Sequence, residues 1–235
     1  MHKPHSNRNN QNPFAMTKTH FLCLANSKKY GERCIAGIQL TPDRNGQFHF
    51  VKTDGHPKWI RPVSSTEHGE VPATWVQHIR IGDIVEMEML RHCPRAYQTE
   101  NVLFRKDSLQ VVRPARLSTA HLDQLVEQAE DTLFGNLHNH LSESEIGTVN
   151  RSLILVKTEL PKAYFTTPYN TKPRLQFQLG KGRYDFPIPD VNFFDWMQEN
   201  PSVLENMDPV FLTISVSACF EGRYFKLAAG VVIPS

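Results

Sequence analysis

The stretch 210-VFLTISVSACFEGRYFKLAAGVVI-233 decides the fold class. Two apolar runs, rich in Val, Ile and aromatic side chains, flank Glu221-Gly222, a dipeptide suited to the tight turn between antiparallel strands. A long β-hairpin is predicted there.

The same pattern fills most of the chain upstream. From residue 19 come THFLCLAN, RCIAGIQL, QFHFVK, WIRPVS, DIVEMEML, NVLFRK and LQVVRP, and the breaks at Pro42 to Gly46, Asp54-Gly55 and His68-Gly69 supply turns. A second series, SLILVKTE, YFTTP, RLQFQL and RYDFPIP, precedes a short helix near FFDWMQEN that Pro201 should end. Between the two series the period changes. Leu122, Leu125, Val126, Ala129 and Leu133 recur at helical spacing after Ser118 and Thr119, with Gly135 as a stop. This predicts a helix of about four turns over 118–134, its apolar stripe facing the core or, alternatively, a protein partner. Residues 136–150 read as a polar connector.

A chain of 235 residues has room for two small domains. The layout predicts a mainly β protein: a tail at 1–16 with almost nothing to bury, a β-barrel at 17–115, a helix and connector at 116–150, and a second β-barrel at 151–235. Apolar runs such as 227-LAAGVVIP-234 fall far short of the roughly 18 residues that cross a bilayer, and the polar start lacks the apolar segment of a signal peptide. A cytoplasmic protein with no membrane partner is expected. Cys23, Cys34, Cys93 and Cys219 form no CxxC pair, and reduced thiols are expected.

The formal charge of +2 hides a strong asymmetry. Residues 17–115 carry 14 basic against 10 acidic side chains, residues 116–150 carry one against six, and residues 151–183 carry seven against Glu159 alone. Two stretches interleave these cations with rings. One holds Lys28, Lys29, Tyr30, Arg33, Lys58, Trp59 and Arg61; the other holds Tyr164, Phe165, Tyr169, Lys172, Arg174, Phe177, Arg183 and Tyr184. Cations neutralise phosphates and exposed rings stack on splayed bases, so the pairing suits a groove for single-stranded nucleic acid. The same residues also suit an ordinary β protein with aromatic cores and charged wet faces.

Other motifs carry less. Cys34 lies among cations, but no spacing selects a base for it among eleven histidines, and a buried strand cysteine is the simpler reading, as for Cys23 and Cys219. His138 and His140 offer two ligands where a metal needs three or four. Gly180-Lys181-Gly182 reads as a turn. No catalytic residue, metal or cofactor is assigned.

The segment 24-LANSKKYGERCIAGI-38, with 59-WIRPVS-64 and Gly69-Glu70, resembles the dual OB-containing domain family, and 152-SLILV-156, 173-PRLQFQL-179, 182-GRYDFPIPD-190 and 213-TISVSACFEGRYFKLAAGVV-232 fit the same pattern. The sequence departs from it at Glu32, where Gly is expected, and over Ser217 to Cys219. The resemblance implies two tandem OB-like barrels and a nucleic-acid-binding or nucleic-acid-sensing role in bacterial defence or mobile-element systems, without an established chemistry. In such a barrel Lys28, Lys29 and Arg33 would lie beside the ligand face. Trp59 and Arg61, two apart, share one face of their strand. Either they present a stacking ring beside a guanidinium, or Trp59 packs in the barrel and Arg61 pairs with Glu70. A sensor or enzyme for a nucleotide or modified base, using Cys34, Lys28, Arg61 and Glu70, is the alternative to a strand binder.

Overall fold

The computed structural model describes residues 17–127, 132–167, 170–199 and 209–234. The expected tail at 1–16, Ala129, Tyr169 and Pro201 lie outside the described residues. In chain order the elements of the first half are β1 (Thr17–Lys29), β2 (Glu32–Pro42), β3 (Phe48–Phe50), β4 (Lys52–Thr53), β5 (His56–Pro57), β6 (Trp59–Val63), α1 (Ala73–Val76), β7 (Asp83–His92), β8 (Asn101–Phe104) and β9 (Gln110–Pro114). The second half holds α2 (Thr119–Asp123), β10 (His140–Leu141), α3 (Glu143–Ile146), β11 (Leu153–Thr167), β12 (Asn170–Leu179), β13 (Gly182–Pro187), α4 (Val191–Glu199), β14 (Val210–Phe220) and β15 (Arg223–Val232).

Five strands close the first barrel. β1 pairs with β2, β2 with β6, β6 in parallel with β8, β8 with β7, and β7 returns to β1. The second module is an antiparallel sheet in the order β10-β15-β14-β11-β12-β13, curled so that β13 lies against β15 without joining it in a ladder. Both OB-like units of the expected architecture are therefore present, the second as a curled half-barrel.

Side-chain alternation explains how the two are joined. On β1, Phe21 and Cys23 point into the first barrel with Ile35, Val85 and Met87, while Leu22 and Leu24 point the other way. There they meet Leu153 and Leu155 of β11 and Phe211 of β14 in a shared core. Ile154 and Val156 of β11, with Leu212 and Ile214 of β14, fill the interior of the second module. Strands buried on both faces read as unbroken apolar runs, which is why THFLCLAN, SLILVK and VFLTISV show so little alternation. A bulge on β1 skips Leu24 in the β1–β2 register, and its carbonyl instead accepts from Thr213 Oγ1 at 2.7 Å. Gly230 of β15 lies against the same carbonyl, where a Cβ would collide with Leu24 O.

The joint differs from expectation. In place of a four-turn helix, α2 is one short helical turn, capped by Ser118 Oγ, which accepts from His121 N–H. Leu122 and Leu125 are fully buried in the shared core, and the Glu127 N–H donates to the Leu155 carbonyl at 2.9 Å. The apolar spacing reflects a turn docked on the sheets, and those leucines are not available to a protein partner. The polar connector also carries structure: β10 pairs with β15, and Ser142 and Glu145 form a capping box on α3. The carbonyls of Leu133 and Asn136 and the Asn136 Oδ1 accept from the buried Lys226 ammonium at 2.6, 2.9 and 2.7 Å. Burial pushes Lys226 down to about 8.

The C-terminal hairpin follows the sequence reading, with Phe220 opposite Arg223 and Glu221 and Gly222 at φ 51° and 72°. α4 occupies the expected helix at FFDWMQEN. All four cysteines are free thiols; Cys23 is buried, but Cys34 is only half-buried and Cys219 is exposed, because the ends of β2 and β14 run past the cores that cover their middles.

Candidate nucleic-acid interface

The β1–β2 hairpin turns through Tyr30 and Gly31 at φ 49° and 82°, a pair of left-handed residues that matches the strand twist and projects the turn outward. Tyr30 is 60% exposed and stacks on His68, with ring centroids 4.2 Å apart. Lys29 Nζ donates to the His68 carbonyl at 2.6 Å; burial, with Arg61 and Arg95 nearby, holds its ammonium below the ordinary lysine range. Lys28 is exposed, and its Nζ stands 5.0 Å from the centroid of the Phe194 ring on α4.

Backbone contacts fix that meeting. The Lys28 N–H donates to the Pro189 carbonyl at 2.9 Å, and Ser27 bridges to Asp190. Asp190 is buried and caps α4: its Oδ1 accepts from the Asn192 and Phe193 N–H groups at 2.9 and 3.2 Å, and its Oδ2 from the Val231 N–H at 2.9 Å. Burial pushes its carboxyl up to about 7, against those three donors. Phe194 then meets Phe165 of β11 edge-on, with centroids 6.4 Å apart, and both rings are half-buried. Phe165 pairs with Pro173 of β12, next to Arg174. The first basic stretch thus reaches the second through two rings, one of which, Phe194, lies in neither.

The remaining sequence-predicted residues separate. Arg174 is bound to Asp185 through Nε at 2.8 Å, and Tyr164 donates to the same carboxylate at 2.5 Å. Arg183 is exposed at the far end of β13, and Lys172 lies on β12 with its side chain outside the described set. Tyr184 is 4% exposed, its hydroxyl accepting from the Leu133 N–H, so its ring packs in the second core and offers no stacking face. Arg33 is half-buried and Lys58 half-buried beside a different cleft, with His56 and Arg151.

Trp59 and Arg61 share a strand face, as expected, and that face is buried. Trp59 is 7% exposed and donates through Nε1 to Glu127 at 3.0 Å, and Glu127 also pairs with Arg151. Burial raises the Glu127 carboxyl. Arg61 is 1% exposed; its Nη2 lies 2.9 Å from Glu100 and donates to Ser152 and Ser215 at 2.8 and 3.4 Å. Its acidic partner is Glu100, not Glu70, and neither Trp59 nor Arg61 forms an open stacking platform. His68 and Phe194 are the contributors that the sequence did not single out; an aromatic pair opening a short helix after 182-GRYDFPIPD-190 is the only signal for Phe194.

Residues 19–231 match the sequence model of a family described as dual OB-containing domain. No curated protein matches the chain. Among solved structures, a tetrameric HIN2 protein is similar at 10% identity over 94% of each chain, with a TM-score of 0.32. A murine DNA-binding protein bound to double-stranded DNA is similar at 8% identity, over 94% of this chain and 99% of that one, with a TM-score of 0.29. A HINb domain is similar at 8% identity, over 93% and 97%, with a TM-score of 0.29.

Proposed function

The chain belongs to the dual OB-containing domain family, and on that footing we propose that it is a binding module for single-stranded nucleic acid. The observation that carries the reading is the array in which the Lys28 ammonium stands over Phe194 and Phe194 meets Phe165 edge-on. Exposed ammonium groups attract phosphates and release counterions, half-exposed rings stack on unpaired bases, and the two are interleaved here at the spacing of neighbouring side chains. Tyr30 on His68 extends the array on one side, and Phe165 of β11, opposite Pro173 of β12, bounds it on the other. The strand would run from the β1–β2 turn across α4 to Phe165 of β11.

Such a module recognises and holds; it performs no chemistry of its own. Its setting would be the cytoplasm, as the recognition component of a bacterial defence or mobile-element system. Titration of the full chain with labelled single-stranded DNA, single-stranded RNA and duplex DNA of equal length tests the reading. At least one single strand should bind more tightly than duplex, and its affinity should fall steeply between about 50 and about 200 mM salt. Absence of binding to every strand would overturn it.

A further inference from the structure

A trough of about 460 Å³ lies on the outside of the first barrel. Strand pairing builds it. β3, β2, β1, β7 and β9 run side by side, with Leu40 opposite Phe50, Leu22 opposite Ile84 and Ile84 opposite Arg113, so these side chains share one face. The sheet curls until its two edges meet across that face: the Arg113 guanidinium of β9 stands 5.8 Å from the centroid of the Phe48 ring on β3.

The rim carries one sign of charge. Arg113, Arg116 and His121 border the trough and are exposed, no acidic side chain lines it, and among the described residues no carboxylate pairs with any of the three. Glu86, on the same face of β7 as Ile84, is held by Lys18 and His20 at 2.9 and 3.1 Å, and Asp123 of α2 by Lys157 at 2.9 Å. An apolar recess beneath unpaired guanidinium groups is complementary to a ligand that is apolar and anionic together, and the guanidinium fork binds a carboxylate through paired hydrogen bonds. The volume falls within the roughly 300–1,000 Å³ of ordinary ligand sites.

A nucleic acid and an acidic peptide both carry anions to such a rim, and the lining favours the peptide. Unpaired bases stack on open rings. Here the walls are mainly aliphatic, from Leu22, Leu40, Ile84 and Leu117, and the Phe48 ring is engaged by the His20 ring, 5.0 Å away between centroids, as well as by Arg113. The trough is also remote from the strand site: Leu22 precedes Lys28 by six residues along β1, a span of about 20 Å.

We propose that this trough docks a short acidic segment of a partner protein. One leucine- or phenylalanine-sized side chain of the segment seats among Leu22, Leu40 and Ile84, and its carboxylates pair with Arg113 and Arg116. The role is additional to strand binding and does not rest on it, since a partner held here leaves the Lys28–Phe194 array open.

The test selects phage-displayed random short peptides on the full chain. Recovered peptides, made as fluorescein-labelled copies, are then titrated with wild type, with the double variant Arg113→Glu and Arg116→Glu, and with Arg116→Glu alone should the double variant fail to fold. Wild type should enrich peptides that combine aspartate or glutamate with a leucine or phenylalanine. The charge-reversed variants should bind them roughly tenfold more weakly, and serine in place of the peptide's apolar residue should weaken binding by at least as much. The variants should bind labelled single-stranded DNA and RNA as wild type does. A selection that enriches no acidic peptide, or acidic peptides that bind wild type and reversed variants equally, overturns the proposal. Reversed variants that lose strand affinity while no acidic peptide is recovered assign the trough to nucleic acid and overturn it as well.

Discussion

Thr213 Oγ1 donates to the Leu24 carbonyl at 2.7 Å, tying the second sheet to the bulge in the first strand of the closed barrel. The contact sits inside the shared core, where Gly230 lets β15 approach the same carbonyl. Thr213→Val leaves that carbonyl buried without its partner and should cost about 1–3 kcal/mol. Gly230→Ala places a methyl group against backbone that has little room to move, and its cost should equal or exceed that of the threonine change. Urea unfolding of both variants measures this. A Gly230→Ala protein as stable as wild type would show that the two modules are not joined as described.

Arg61 and Glu100 make a second tie, since the guanidinium of the first barrel also donates to Ser152 and Ser215 of the second module. Arg61→Met alone strands a buried carboxylate and should destabilise by about 3–5 kcal/mol. Joining it with Glu100→Met removes the unpaired charge and should recover most of that loss. A double variant no more stable than the single one would mean that the pair is open to solvent.

Asp190 gives the stability a pH dependence with a definite sign. Its carboxyl stands at about 7 in the folded chain, above the ordinary carboxylate value, so the folded state keeps a proton that the unfolded state releases. Its contribution is then largest at low pH and falls as pH rises from about 4 to about 7, by an amount on the order of a few kcal/mol. Asp190→Asn does not titrate, so the stability of wild type relative to the variant should decline across that window and level off above it. A gap that widens with pH would show that the three N–H donors hold the carboxylate charged.

The parts of this fold that rest on local chemistry were legible in the sequence. Glu221-Gly222 announces its hairpin because two left-handed residues in sequence specify the turn themselves. The 118–134 segment misleads because leucines docked from a single turn, Leu122 and Leu125, leave the same spacing as a helical stripe. In the site, residue type and strand parity put Trp59 and Arg61 on one face, but whether that face is wet depends on Glu100 and Glu127, which come from other elements. Lys28 could be named from its neighbours. The ring beneath it could not, since Phe194 reaches it only through the docking of Asp190 and Pro189 on β1.

The central claim is that Lys28 and Phe194 form the core of a strand-binding surface. Fluorescence anisotropy of a labelled single-stranded oligonucleotide, followed against salt for wild type, Lys28→Ala and Phe194→Ala, tests it most directly. Phe194→Ala should weaken binding by about 1–3 kcal/mol through lost stacking, and Lys28→Ala should flatten the slope of log affinity against log salt by about 0.7. Equal affinity and equal salt slope in all three proteins would contradict the account.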